Sequence, residues 1–154
     1  MYYNYLPSPL GLIEIAANEQ GLTAVSFCTA ATQACSEQPL LLAAKTQLAA
    51  YFGKELTEFD LPLAASGTAF QQKVWRALTG VPYGRTASYR DIAIAIANPK
   101  GVRAVGLANS KNPLAIIVPC HRVIGANGTL TGYAGGLDKK AWLLQHEEVT
   151  GLKG

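Results

Sequence analysis

A chain of 154 residues, 49% hydrophobic and 15% charged, is long enough for one domain or two small ones, and its composition excludes a disordered or fibrous protein. No apolar run approaches the ~20 residues of a membrane-spanning helix, and the opening Met1-Tyr2-Tyr3-Asn4-Tyr5 lacks the basic and apolar regions of a signal peptide. The net charge of +3 is divided unevenly, −4 over residues 1–65 and +7 over residues 66–154, which suggests an acidic lobe followed by a basic one that meets a polyanion.

Residues 1–65 read as a small α/β domain. Strands are expected at 2–6, at 12–17, where Ile13 and Ile15 alternate with Glu14, and at 22–27, separated by the turns Pro7-Ser8-Pro9-Leu10-Gly11 and residues 18–21. A helix is expected over 39–52, with Pro39 in its first turn and Gly53 as C-terminal cap. Residues 59–63 suggest a further strand, and Ala64-Ala65-Ser66-Gly67 a linker.

Residues 66–154 read as a mostly helical domain. Thr68 and Gln71 form a capping-box pattern that opens a helix with Phe70, Val74, Ala77 and Leu78 on one face. Gly80 ends it, and Val81-Pro82-Tyr83-Gly84 turns the chain. A second helix starts at Ser88-Tyr89-Arg90-Asp91, with Ile92 and Ile96 inward. Asn98-Pro99-Lys100-Gly101 breaks it, and a third runs over 102–110. Two short helices across a tight turn in a basic half fit a helix-turn-helix as well as an ordinary helical corner. The third helix is nearly bare of large side chains apart from Arg103. A major-groove reader would carry several long polar residues, whereas a small-residue face allows close approach to a narrow minor groove, with Arg103 reaching into the base stack.

Beyond this, residues 112–118 form an apolar run that reads as a buried strand ending at Pro119, Cys120, His121 and Arg122. A hairpin about Asn127-Gly128 follows, then the flexible Gly132-Tyr133-Ala134-Gly135-Gly136. A closing helix over 137–148 is expected to put Leu137, Ala141 and Leu144 on its core face.

The chemistry concentrates at Cys120. Three cysteines, an odd number, make no disulfide framework, and a reducing cytoplasm fits best. With only two histidines, His121 and His146, Cys28 and Cys35 lack partners for a tetrahedral zinc site and read as structural. Cys120 stands beside two potential cations, surroundings that lower a thiol pKa; the alternative is an inert core cysteine. Adjacent side chains diverge, so His121 reaches the thiol through a bridging water, or His146 arrives from the last helix, and either Glu147 or Glu148 could orient the imidazole.

From about Phe70 to Glu147 the chain resembles the O6-alkylguanine-DNA alkyltransferases, also called methylated-DNA–protein-cysteine methyltransferases. The resemblance rests on Ile117-Val118-Pro119-Cys120-His121-Arg122-Val123, Tyr89, Asn112, Arg103-Ala104-Val105-Gly106, Val81-Pro82-Tyr83-Gly84, Ser88 and residues 132–136. It implies an N-terminal ribonuclease-H-like α/β domain, a small antiparallel sheet with a helix, over 1–65. It implies a winged-helix-like, DNA-binding and alkyl-acceptor domain with a helix-turn-helix over 66–154.

The resemblance also implies a single-turnover, self-inactivating transfer of the alkyl group from a flipped-out guanine to Cys120. His121 would deprotonate the thiol through a water, with Glu147 holding the imidazole. Asn112 would tie the DNA-binding helix to the active-site strand. Arg103 would fill the gap left by the nucleotide, and Tyr89 would push its phosphate and hydrogen-bond the departing guanine. Ala104, Gly106 and Ser110 would lie on the DNA face. The carbonyls of Cys120 and Val123 would read the guanine amino group, with Tyr133 and Ala134 walling the pocket.

No metal or organic cofactor is implied, and the partner would be double-stranded DNA, met through its minor groove by a monomer with little sequence preference. Ala115 stands where family members often have proline, and Ala134 where some have serine, which leaves the range of alkyl groups, and activity on O4-alkylthymine, open. The competing readings are a non-catalytic lesion sensor, against which Cys120 speaks, and a winged-helix regulator, which leaves Cys120 and the glycine-rich loop without a purpose.

Overall fold

The computed structural model describes residues 1–152, which fall into two compact units, Met1–Ser66 and a second beginning at Gly67. In the first unit, β1 (Tyr2–Ser8), β2 (Gly11–Ala17) and β3 (Leu22–Cys28) form an antiparallel sheet in the order β1-β2-β3. Ser8 pairs with Gly11 across a two-residue turn, and Gly11 has a φ of +101°, a conformation that glycine adopts without steric cost. Helix α1 (Pro39–Phe52) packs on β1 and β2 and buries Leu41, Ala44, Leu48 and Tyr51, spaced three or four apart, in a core that also holds Ile13, Ile15, Leu22 and Val25. Its first turn is capped by the Gln38 side chain, which accepts from the Leu41 amide.

Residues 59–63 do not form the expected strand. Leu63 makes only an isolated bridge with Leu22, because Pro62 has no amide hydrogen to continue a ladder.

In the second unit, α2 (Ala69–Leu78), α3 (Tyr89–Ala95), α4 (Val102–Ser110) and α5 (Leu137–His146) pack around a core that includes Val74, Leu78, Ile92, Val105, Leu114 and Leu143. Both α2 and α3 open with complete capping boxes, Thr68 with Gln71 and Ser88 with Asp91. The inward face of α2 is shifted from expectation: Trp75 is buried and donates its indole N–H to the Ala108 carbonyl at 2.9 Å, while Phe70 and Ala77 are half-buried. Ile96 is likewise half-buried, at the C-terminal cap of α3. Helices α3 and α4 pack on one another across the turn at 96–101, and α4 leaves Val102, Arg103, Ala104, Leu107 and Ser110 exposed. No helix among the described residues is long and apolar enough to cross a membrane.

Three expectations for the C-terminal part are corrected. The buried run 112–118 is a series of tight turns rather than a strand: Val118 N–H donates to the Leu114 carbonyl at 2.9 Å, and Ile116 has a φ of +71°. The side chain of Asn112 takes the place of a strand neighbour, bonding to Val118 and Leu114. The residues after Cys120 form β5 (Val123–Ile124), which pairs in parallel with β4 (Ala87–Ser88), so the expected hairpin contracts to a loop closed by Gly125 N–H to the Thr129 carbonyl at 2.8 Å. Helix α5 ends at His146, and its buried face is Lys140, Leu143 and Leu144; Leu137 is 48% exposed and Ala141 half-buried.

Candidate active site

Cys120 begins a single 3₁₀ turn, Cys120–Arg122, that follows the coiled 112–118 segment. The turn fixes three consecutive side chains in the interior, with Cys120 7%, His121 0% and Arg122 6% exposed. Burial of two consecutive basic residues requires partners. Glu147, the residue that caps α5, supplies them from 2% exposure. Its Oε2 lies 2.8 Å from His121 Nε2 and accepts from Arg122 Nη2 at 3.0 Å, and its Oε1 accepts from Arg122 Nε at 2.8 Å. The remaining guanidinium nitrogen donates to the Val81 carbonyl at 2.8 Å, and the guanidinium lies 5.8 Å from the centre of the Tyr83 ring. The Val81–Gly84 turn is thereby tied to the 3₁₀ turn.

These contacts set the protonation states. Burial would push the Glu147 carboxyl up, but hydrogen bonds from His121 and Arg122 pull it down to about 2. Burial holds the His121 imidazole below its usual range, with the Glu147 bond opposing and the Arg122 and Lys140 charges reinforcing. A neutral imidazole whose Nε2 faces a carboxylate carries its proton there, which leaves the lone pair on Nδ1. Nδ1 is buried and has no hydrogen-bond partner among the described residues.

The expectation of a thiol with a lowered pKa is corrected. Burial pushes the Cys120 thiol up; a hydrogen bond from Asn112 and the charge of Lys140 act against it without reversing it. Of the two flanking residues expected to act as cations, His121 is held neutral and Arg122 is spent on Glu147. The thiol is therefore at rest until a base takes its proton.

The structure assembles Cys120, His121, Glu147 and Asn112, all drawn from the sequence. Asn112 Nδ2 donates to the Val118 carbonyl at 2.9 Å while Oδ1 accepts from Leu114 N–H at 3.0 Å, so Asn112 shapes the turns that present the thiol; the strand it was expected to hold is absent. Tyr89 opens α3, and its hydroxyl lies 3.0 Å from Thr131 Oγ1 and donates to the Thr131 carbonyl at 3.2 Å. Tyr133 is half-buried with its hydroxyl unpartnered among the described residues, and burial pushes that hydroxyl's pKa up, with the Cys120 charge adding to the shift. Ala134 is exposed, as are Arg103, Ala104 and Ser110, with Gly106 half-buried. Val123 is fully buried. His146 stacks on Trp142 at 4.8 Å instead of turning to Cys120, and Glu148 is exposed. Cys28 and Cys35 carry free thiols, half-buried and exposed respectively. No group of three or more His, Cys, Asp or Glu residues among the described residues could hold a metal ion.

Three residues of this region were not singled out from the sequence. Lys140 is fully buried and its ammonium donates to the carbonyls of Val123 at 2.5 Å, Thr131 and Gly132. Burial holds its pKa down to about 8, with the Cys120 charge opposing. Its signal lay in the spacing, because 140, 143, 144 and 147 share one helical face. Asn109, buried on α4, donates to the Cys120 carbonyl at 3.4 Å, and its place beside Ala108 and one turn after Val105 marks the same inward stripe. Thr131 carried no signal.

Two family models match. The 6-O-methylguanine DNA methyltransferase, ribonuclease-like domain matches residues 1–65, and the DNA binding domain of the same methyltransferase matches residues 69–149. A methylated-DNA–protein-cysteine methyltransferase of Methanosarcina barkeri is 49% identical, the alignment covering 96% of this chain and 98% of the relative. The constitutive enzyme of that name from Bacillus subtilis is 47% identical, over 97% and 96%. Among solved structures, Mycobacterium tuberculosis OGT in complex with DNA superposes with a TM-score of 0.88 at 49% identity, over 96% of this chain and 93% of that one.

Proposed function

The chain belongs to the 6-O-methylguanine DNA methyltransferase family, and on that premise we propose that it repairs DNA by moving the alkyl group of O6-alkylguanine onto the sulfur of Cys120. The observation that carries this reading is the buried Cys120-His121-Glu147 arrangement, with Glu147 2.8 Å from one imidazole nitrogen and the other nitrogen unpartnered.

The thiol proton passes to His121 Nδ1 through a water, and Glu147 stabilises the imidazolium that forms. The thiolate attacks the alkyl carbon; the S–C bond forms as the C–O6 bond breaks, and guanine leaves with the bonding pair. Tyr89 donates a hydrogen bond to the departing base. The thioether is a poor leaving group, and no second nucleophile regenerates the thiol, so each chain reacts once.

The target atom lies inside a duplex, so the nucleotide is flipped at a cost of a few kcal/mol. Exposed Arg103 fills the gap, and Ala104, Gly106 and Ser110 allow α4 to approach the minor groove closely. The net +7 of the second half supplies phosphate contacts with little sequence preference. Val123, Tyr133 and Ala134 line the pocket, with the Cys120 and Val123 carbonyls toward the guanine amino group. The protein works as a monomer, in a reducing cytoplasm, without metal or organic cofactor. Residues 1–65 and 66–154 act as its structural and its DNA-binding, alkyl-accepting domains.

Intact mass after incubation with an O6-methylguanine duplex tests the reading. A gain of one methyl per chain, on Cys120 and absent from Cys120→Ser, is expected. An unchanged mass with the DNA still bound would identify a lesion sensor instead.

A further inference from the structure

We propose that Thr131 is a positioning residue for the alkyl transfer, its hydroxyl and carbonyl together aiming the Tyr89 phenol. The inference rests on the role given to Tyr89 above.

Tyr89 is fixed at both ends. Along its ring lies Gly106 of α4, where an added Cβ would stand 3.8 Å from ring carbons, an ordinary packing distance. At its tip the hydroxyl is 3.0 Å from Thr131 Oγ1 and 3.2 Å from the Thr131 carbonyl. A phenol has one proton to give and two lone pairs. The carbonyl can only accept, so when Tyr89 donates to it, the threonine hydroxyl donates back to the phenol oxygen. When Tyr89 turns its proton to the leaving guanine, Oγ1–H remains as a donor to the phenol oxygen. That donation strengthens the hydrogen bond Tyr89 makes, because hydrogen bonds in a chain polarise one another.

Thr131 is exposed and lies in a loop, a poor platform on its own. Lys140 corrects this. Its buried ammonium donates to the Thr131 and Gly132 carbonyls and, from the same nitrogen, to the Val123 carbonyl, three residues after Cys120. The threonine that aims Tyr89 is thus anchored to the turn that carries the thiol. Gly132 beside Thr131 has a φ of +42°, a conformation that glycine adopts without steric cost.

Thr131→Val keeps the shape and removes the hydroxyl; Thr131→Ser keeps the hydroxyl. Single-turnover rates on an O6-methylguanine duplex are measured for both, for Tyr89→Phe and for the Tyr89→Phe/Thr131→Val double variant. Thr131→Val should lower the rate at saturating duplex about fivefold, the worth of one neutral hydrogen bond, with duplex Kd changed by less than about twofold. Thr131→Ser should restore the rate, and Thr131→Val should cost nothing further in the Tyr89→Phe background. A Thr131→Val rate equal to that of the unaltered protein, with Tyr89→Phe impaired, overturns the inference alone. So does a loss confined to Kd, or one of full size in the Tyr89→Phe background. If Tyr89→Phe transfers the methyl as fast as the unaltered protein, the role of Tyr89 fails and the inference with it.

Discussion

His121 and Arg122 converge on one oxygen atom: Glu147 Oε2 lies 2.8 Å from His121 Nε2 and 3.0 Å from Arg122 Nη2. Adjacent residues on a 3₁₀ turn point apart, so a single carboxylate reaches both only because it caps the end of α5 beneath them. The permanent charge of Arg122 neutralises Glu147, so the carboxylate orients His121 without drawing a proton onto its second nitrogen. The imidazole stays neutral and able to accept.

The acid limb of the reaction should report this. A base held below its usual range keeps its lone pair to lower pH, so the single-turnover rate should fall with a midpoint below 6.5. Glu147→Gln should slow transfer by at least about tenfold, since general-base catalysis contributes 10²–10⁴-fold and the orienting carboxylate is part of it. Rates on duplex DNA between pH 5 and 8 check both.

Stability should carry the same signature. The Glu147 carboxyl titrates at about 2 in the fold against 4.5 unperturbed, so its contribution is present above pH 4.5 and lost as pH falls through 2. The linked free energy is at most about 3 kcal/mol. The lowered His121 value acts in the same direction from 6.5 downward, because the unfolded chain takes up that proton first. Urea midpoints at pH 7, 4.5 and 3 should fall in turn, and the last step should be much shallower in Glu147→Gln. An equal slope in the variant would contradict the assignment.

Arg103→Ala should separate delivery of the base from the chemistry. Transfer from duplex O6-methylguanine should drop by more than about tenfold, whereas reaction with free O6-benzylguanine, which needs no flipping, should change less than about twofold. Equal losses on both substrates would place Arg103 in the chemistry or the fold.

Lys140→Met replaces a buried ammonium by a side chain of similar length and leaves the Val123, Thr131 and Gly132 carbonyls without that donor. A buried polar group left unpaired costs about 1–3 kcal/mol, against which the variant no longer buries a charge. A net destabilisation of about 2 kcal/mol is expected, with faster amide exchange over residues 131–136. A variant as stable as the parent would mean that burying the charge costs as much as its three bonds return.

Asn112→Ala should raise the Cys120 pKa further, since the Asn112 hydrogen bond lowers it. The pH dependence of iodoacetamide alkylation at Cys120, with Cys28 and Cys35 replaced by serine, would show it as a midpoint displaced to higher pH and a slower reaction below that midpoint. An unchanged profile would leave Asn112 with the turn alone.

Much of the fold was legible. Helices α1 and α4 ran between the expected residues because Pro39, Gly53, Gly101 and the Asn98-Pro99 break mark their ends. Cys120, His121 and Glu147 were legible as candidates from the Cys-His step and the end of the last helix, and the structure brings His121 and Glu147 into contact while His121 Nδ1 makes no hydrogen bond to the thiol. Residues 112–118 misled because the apolar stretch 113–118 has no period, and the deciding feature is local: the Asn112 side chain bonds to the backbone two and six residues on, which offers the chain turns in place of a strand. The thiol pKa was misjudged from sequence neighbours, since burial outweighed every group that lowers it, and His121 and Arg122 are not among those groups. Lys140 and Thr131 escaped because a lysine on a helix and a threonine in a loop normally face water.

The near-complete burial of Cys120 has one more consequence. On the proposed chemistry each molecule is a reagent supplied once, and a thiolate ionised at rest would be spent on whatever electrophile drifted past. Enclosed and protonated, the sulfur keeps its shelf life, and the lesion itself provides the occasion for spending it.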